Sequence, residues 1–224
     1  MISLYSGLVV KQALEETVIP AYERETGETV VTTFEPTTVL LDRIAAGERP
    51  DLLLGVSSSV RELAAQGVLD PAQVTDIAVS AVGFARLPDG PAPVDEGEAA
   101  FLDYLRAAPA VAYTLSGASG LHFMSVLRER RLLDEIDERA VRFPSGLTAE
   151  AVVDGRASVA IQQVSELRSV AGPHVVAPLP HALQSYGRFA IGVRRETPAA
   201  SAFAETLVRA DARRAFADIG LAAP

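Results

Sequence analysis

Two hydrophobic periods alternate along this chain. Short strand-like runs, Ile2 to Tyr5, Thr29 to Phe34 and the almost wholly apolar Asp51 to Gly55, are separated by stretches whose apolar positions recur at helical spacing. The first helical stretch covers about Leu8 to Glu25, with Val9, Ala13, Val18 and Tyr22 among its apolar positions and Gly27 after its end. The second runs from about Val39 to Ala46, reached through Glu35-Pro36-Thr37-Thr38 and stopped by Gly47 and Pro50. The third takes cap candidates from Ser57 to Ser59 and ends near Gly67. A strand without polar alternation suits a sheet covered on both faces, so three β-α units in under 70 residues predict a parallel α/β layer.

Thr75 to Leu87 reads as longer strand material and runs into Pro88-Asp89-Gly90-Pro91-Ala92-Pro93, which cannot be helix interior and marks a boundary nearby. A second series then begins. It comprises a helix at about Glu98 to Ala107, the strand Ala110 to Tyr113, and the loop Thr114 to Gly120 opening a helix from Leu121 to about Arg130. Arg128 to Arg142 is charged and predicts a solvated region, Leu147 to Asp154 a helix, Ser158 to Ile161 a buried strand and Gln163 to Val170 a short helix. Val175 to Leu179 and Ser185 to Val193 are further strands, and Ala199 to Phe216 is a closing amphipathic helix. The restart predicts lobe I from residues 1–79 plus 185–224 and lobe II from residues 80–184, with crossings near 80 and 185.

Composition narrows the function classes. With 49% hydrophobic and 22% charged residues over 224 positions, the chain can bury roughly 70 to 75% of its unfolded surface, which excludes disordered and fibrous classes. Charges interrupt every apolar run before the roughly 20 residues that a bilayer span requires, so a soluble chain without membrane insertion is expected. A net charge of −9 with no Lys or Arg stripe opposes nucleic acid and anionic lipid, so any anionic ligand must be held by local donors. Cysteine is absent, and His122, His174 and His181 form no i, i+4 pair, so no metal site is expected. No G-x-S-x-G, Walker or dinucleotide fingerprint occurs, and no cofactor is expected. The start at Met1-Ile2-Ser3-Leu4-Tyr5 enters strand-like sequence at once. Two localisations follow: cytoplasmic if Met1 is the true start, periplasmic or otherwise extracytoplasmic if a leader was removed.

The order of elements carries a resemblance. The opening strand and helix with Ala13, the run Phe34-Glu35-Pro36-Thr37-Thr38-Val39-Leu40, and Pro50-Asp51-Leu52-Leu53-Leu54 are three of its carriers. Ser116-Gly117-Ala118-Ser119-Gly120, the segment Val153 to Ile161, and Pro178-Leu179-Pro180 are the others. Together they resemble the type II periplasmic binding-protein superfamily and, within it, the molybdate-binding-protein-like family. The resemblance implies an α/β fold of two lobes, each a mixed sheet flanked by helices, with a small oxyanion held in a cleft between them. It also implies ligand contacts by Thr37 and Thr38, by Ser116, Ser119 and Gly120, and by Gln162 and Gln163 after the third strand of lobe II. Two positions depart from the pattern. Val9 replaces the hydroxyl at the first helix start, leaving Ser6 as the nearest substitute, and Arg188 falls where molybdate binders tend to carry tyrosine, with Tyr186 two residues earlier. A guanidinium favours planar, bidentate recognition of a carboxylate. The segment from Pro178 to Tyr186 looks more like the branch that includes aconitate isomerase.

Each candidate also has a local explanation. Ser, Thr and Gly at helix starts serve capping and turns as well as anions, because both uses draw on the same free N–H donors. Arg188 could be a surface strand residue, Glu35 a solvated strand end, and His122 an ordinary residue in the first turn of its helix. The expected function is binding of a small oxyanion or carboxylate by a solute-binding protein, delivering to an ABC permease if the chain is exported. The alternative is a cytoplasmic isomerase of a small di- or tricarboxylate, with Glu35 or His122 shuttling a proton and Arg188 stabilising enolate-like charge.

Overall fold

The computed structural model describes residues 1–195 and 197–224. In chain order the elements of the first part are β1 (Ile2–Ser6), α1 (Lys11–Ala13), α2 (Ile19–Thr26), β2 (Val30–Phe34), α3 (Thr37–Ala45), β3 (Leu52–Val56), α4 (Ser57–Ala65) and β4 (Val74–Arg86). There follow α5 (Glu98–Ala107), β5 (Val111–Thr114), α6 (Ala118–Glu129), α7 (Leu133–Asp137), β6 (Ala140–Phe143), α8 (Glu150–Val153), β7 (Val159–Gln163), α9 (Val164–Arg168) and β8 (Val175–Pro178). The last elements are β9 (Tyr186–Val193), α10 (Pro198–Thr206) and α11 (Ala210–Asp218). They form two units, Met1–Ser80 with Arg188–Pro224, and Ala81–Gly187, so the chain passes from one to the other within β4 and returns within β9.

In the first unit the sheet runs β2-β1-β3-β9, with β1 parallel to both β2 and β3, and β9 antiparallel to β3. The period-2 alternation of each strand fills two cores. Leu4, Leu52, Leu54, Ile191 and Val193 pack with Leu14, Tyr22, Phe203 and Phe216. Tyr5, Leu53 and Ala190 pack with Leu40, Ile44, Val60 and Leu63. This two-sided burial is why β3 has no polar alternation. The helical stretch after β1 is irregular: Leu8–Val10 is 3-10, Leu14–Val18 is π, and only then does α2 begin. The widened turn lies just before Pro20, which has no N–H to return to the Glu16 carbonyl. Gly27 ends α2 at φ 72°, giving its N–H to Glu23 O at 2.8 Å, a left-handed cap that glycine adopts without steric cost.

In the second unit β4 pairs antiparallel with β7 and β8, while β5 lies parallel to both β6 and β7. Val82, Phe84, Tyr113 and Ile161 face Phe101, Phe123 and Leu127. The opposite face is built from small residues, Ala85, Ala112 and Ala160, against Ala149, Val152 and Leu167. Alanines there let α8 and α9 lie close to the strands.

Several expected boundaries shift. Helix α6 starts at Ala118 rather than Leu121, so Ser119 and Gly120 belong to its first turn, and α3 starts at Thr37 rather than Val39. The charged stretch before Arg142 contains α7 and the outer strand β6. Arg142 is exposed there and pairs with Asp137 at 3.0 Å, a charge pattern that suits a sheet edge and hides the strand from periodicity. Only Glu150–Val153 is helical in the 147–154 stretch. The closing helix is two helices: Thr206 Oγ1 donates to Phe203 O at 2.6 Å and the backbone turns extended at Arg209 before α11. Among the described residues no helix is long and apolar enough to cross a membrane.

Candidate functional site

Parallel β-α units place every strand-to-helix step on the carboxyl edge of the sheet, where helix starts expose N–H groups. In the first unit this edge carries Ser6, Glu35, Thr37, Thr38 and Arg188. Ser6 ends β1 fully buried, its hydroxyl donating to Gly7 O at 3.0 Å, while Gly7 N–H donates to Leu54 O at 2.8 Å. Glu35, half-buried, gives its N–H to Ser6 O at 3.1 Å. Thr37 opens α3 and is buried; its Oγ1 accepts the Val56 N–H at 3.2 Å and so ties the ends of β2 and β3 together. Gly55 makes room for it, since a Cβ there would lie 3.0 Å from Thr37 Cγ2. Thr38 is exposed beside it. Arg188 is exposed, one residue beyond the last β3–β9 pair, Val56–Phe189, at the edge where Ser57 opens α4. Ser57, expected among the cap candidates, sits at the first helical position and donates instead to Asp76 Oδ1 at 3.0 Å, with Arg61 on the other Asp76 oxygen at 2.7 Å.

The second unit has its own carboxyl edge at the neighbouring parallel strands β5 and β7. Ser116 lies in the loop after β5 and donates to Pro144 O at 2.5 Å; Leu115 N–H donates to Phe143 O at 2.8 Å. Ser119 and Gly120 are buried in the first turn of α6, packed on the end of β5 so closely that a Cβ at Gly120 would lie 1.8 Å from Thr114 O. Gln162, 1% exposed, spends its amide on the preceding loop: Oε1 accepts from Thr148 N at 2.8 Å and Thr148 Oγ1 at 3.0 Å, and Nε2 donates to Gly146 O at 2.8 Å. Gln163 precedes α9 and gives its N–H to Glu166 Oε2 at 3.3 Å. Its side chain is buried. His122 stands on α6 with Nε2 2.8 Å from Leu183 O; a carbonyl only accepts, so Nε2 carries the proton. That bond holds the turn that follows Pro180. Tyr186 is exposed at the start of β9.

Three residues on this edge were not singled out from the sequence. Thr114 Oγ1 and Ser165 Oγ, each in a residue 2% exposed, have no hydrogen-bond partner among the described residues. An unpaired buried hydroxyl costs about 1 to 3 kcal/mol, so a bond from either group to a further polar group would be favourable. Next to Ser165, Glu166 closes a capping box with Gln163 at the start of α9, and its buried carboxyl pairs with no cation among the described residues. Burial pushes its pKa up to about 7, against the opposing effects of the Gln163 N–H and the Gln162 side chain. The signal available was Glu166 lying five residues after the apolar run Val159 to Ile161, close enough to that buried strand to be buried with it.

Three cavities, one in the second unit and two in the first, are lined by none of these edge residues. In the second unit a space of about 390 Å³ is walled by Phe84, Phe101, Leu179 and Pro180, with Asp95 and Glu96 at its margin, a lining that repels anions. Among the described residues no group of three or more His, Cys, Asp or Glu could hold a metal ion.

Two α/β units, each with hydroxyls and helix starts gathered on one sheet edge, define a binding-protein architecture. The chain belongs to the family described as bacterial extracellular solute-binding protein, whose profile matches residues 2–222. It is 30% identical over 213 residues to aconitate isomerase of Pseudomonas sp, covering 91% of this chain and 81% of that protein. Among solved structures it is similar to the periplasmic molybdate-binding protein of Azotobacter vinelandii, with a TM-score of 0.81 at 16% identity over 100% of both chains. It is also similar to the sulfate-binding protein SubI of Mycobacterium tuberculosis H37Rv, with a TM-score of 0.77 at 20% identity over 99% of this chain and 86% of the other.

Proposed function

We propose that this chain binds a small oxyanion or carboxylate as a solute-binding protein, through the hydroxyls and N–H groups on the carboxyl edges of its sheets. The observation that carries the reading is the buried hydroxyl of Thr114, without a hydrogen-bond partner among the described residues, at the start of the 12-residue helix α6, where a Cβ on Gly120 would stand 2.6 Å from it. A helix start of that length supplies unpaired N–H groups and the positive end of the peptide dipole, which suits an anion held without a full countercharge. In the first unit the hydroxyl-bearing residues of the same edge are Ser6, whose hydroxyl donates to Gly7 O, Thr37, whose hydroxyl accepts from Val56 N–H, and Thr38. In a transport setting the partner is an ABC permease that receives the ligand.

A second reading is favoured by the relative that acts as an aconitate isomerase and by the guanidinium of Arg188. In it the same edges hold a di- or tricarboxylate while a proton moves α to a carboxylate. Thermal unfolding in the presence of molybdate, tungstate, sulfate, citrate and the aconitate isomers separates these readings. A ligand at a thousand times its Kd adds about 4 kcal/mol of stability. Stabilisation by an inorganic oxyanion alone supports the first reading; stabilisation by aconitate with deuterium incorporation from heavy water supports the second. No stabilisation by any of them overturns both. Arg188→Ala should weaken a carboxylate by about 1.5 to 3 kcal/mol, the scale of a charged hydrogen bond, and leave molybdate affinity nearly unchanged.

A further inference from the structure

An acidic loop borders an apolar space in the second unit. Residues 87–105, from just after β4 through most of α5, hold Asp89, Asp95, Glu96, Glu98 and Asp103 and no Lys or Arg. Glu98 and Asp103 are paired, with Arg130 at 2.9 Å and Arg106 at 3.1 Å. Arg86, just before this stretch, gives its guanidinium to the carbonyls of Leu87, Pro88 and Gly90 at 2.9, 3.0 and 3.3 Å, so it fastens the loop to β4. Asp95 and Glu96 are exposed at the margin of the 390 Å³ cavity, and Asp95 Oδ1 takes the Gly97 N–H at 2.7 Å, which fixes the turn. The same cavity is lined by Phe84 and Phe101, with ring centroids 5.1 Å apart, and by Leu179 and Pro180. The segment 175–185, which supplies Leu179 and Pro180, has no Lys, Arg, Asp or Glu.

We infer that this cavity is a binding site for a small organic cation, an amine carried on an aromatic or branched aliphatic body. A space of about 390 Å³ has the size of a small-molecule pocket and is too small for a folded partner. The walls take the body of the ligand, because contact with Phe84, Phe101 and Leu179 removes apolar surface from water. The two carboxylates at the margin set the sign of the charge: an ammonium group gains hydrogen bonds to their oxygens, whereas an anion is repelled. An aromatic ring face adds to the attraction for a cation. The inference stands apart from the anion-binding reading, since none of the residues assigned to that reading lines this cavity.

The probe is 2-phenylethylamine, with 2-phenylethanol as its neutral counterpart and 3-phenylpropionate as an anion of similar body. Titrations of the whole chain at low salt are followed by the methyl NMR signals of Ala177 and Leu179, which line the cavity. The amine should shift those signals and bind about fivefold more tightly than the alcohol, the scale of an exposed ion pair, and 3-phenylpropionate should bind more weakly than either. Asp95→Asn combined with Glu96→Gln keeps an acceptor for the Gly97 N–H. It should bring the amine down to the affinity of the alcohol and leave the alcohol unchanged. Raising the salt to about 1 M should narrow the same gap in the wild type, so the comparison survives if the double variant does not fold. Failure of the amine to bind, equal binding of amine and alcohol by the wild type, an amine affinity untouched by the double substitution, or shifts confined to signals outside the cavity would each overturn the inference.

Discussion

Replacing Gly120 with alanine tests how tightly α6 seats on β5. In an exposed helix this change is favourable by up to about 1 kcal/mol, because alanine has the better helix propensity. Here the added Cβ would stand 1.8 Å from Thr114 O and 2.6 Å from Thr114 Oγ1. A carbon–oxygen contact needs about 3.3 Å, so the first turn of α6 must withdraw by about 1.5 Å from the strand. The obstacle is backbone, already paired with Phe143 in the β5–β6 ladder, and cannot swing aside. Overpacking against a rigid neighbour costs about 3 kcal/mol, which leaves a net loss of about 2 kcal/mol after the propensity gain. Urea unfolding followed by far-UV circular dichroism should show a lower midpoint at unchanged slope. The same withdrawal carries Ser119 and the N–H groups of the first turn away from Thr114, so anion affinity should fall as well. The sign is decisive: a midpoint that stays put or rises would mean that the helix start does not sit on the strand end.

Asp51 accepts from Ser3 N at 2.9 Å, Ser3 Oγ at 2.8 Å and Arg194 at 2.6 Å, and against the upward push of burial these bonds hold its pKa below the ordinary aspartate value. A lowered carboxyl pKa stabilises above the unfolded value and loses that stability as pH falls through the folded one. Asp51→Asn should therefore cost about 2 kcal/mol at pH 7, with the difference from wild type shrinking below about pH 4 in acid titrations followed by circular dichroism. Gln162→Leu strands the buried Thr148 N–H and the Gly146 carbonyl and should lower stability by about 3 kcal/mol in urea titrations; a loss under 0.5 kcal/mol would remove Gln162 from the support of the 146–148 loop. Glu166 carries the opposite pH sign from Asp51. Its pKa rises from 4.5 to about 7 on folding, so stability is greatest at acid pH and about 3 kcal/mol is lost as pH climbs from about 4.5 to about 7, a slope that Glu166→Gln should abolish.

What was legible in the sequence followed hydrophobic period. The three opening β-α units were readable because Leu52, Leu53 and Leu54 are each fully buried, so the strand shows as an uninterrupted apolar run. Where a strand is peripheral the signal fades: Ala140–Phe143 alternates only between partial and full exposure, and its arginine reads as solvated loop. Helix starts were misplaced by two or three residues at Thr37 and Ala118 because threonine, serine and glycine favour loops locally, while packing on the strand end extends the helix across them. The candidate residues separate by what their side chains already do. Gln162 and His122 are tied to backbone partners, which no residue count could foretell. Thr114 and Ser165 escaped notice because a buried hydroxyl without a partner is a property of geometry, and Glu166 because its burial is.

The chain's charge sharpens the physical problem that these residues address. At −9 overall it repels anions at long range, so affinity must come from contacts made after the ligand has shed water. Short-range donors contribute most when they are already dehydrated and fixed. Thr114 and Ser165 carry hydroxyls that are buried and have no protein partner among the described residues, so they are donors of the kind this problem calls for. A carboxylate on the same edge would undo the advantage if it stayed ionised. Glu166 follows Ser165 in the chain, and burial raises its carboxyl pKa to about 7, so the repulsion that it offers an anion falls as the pH drops.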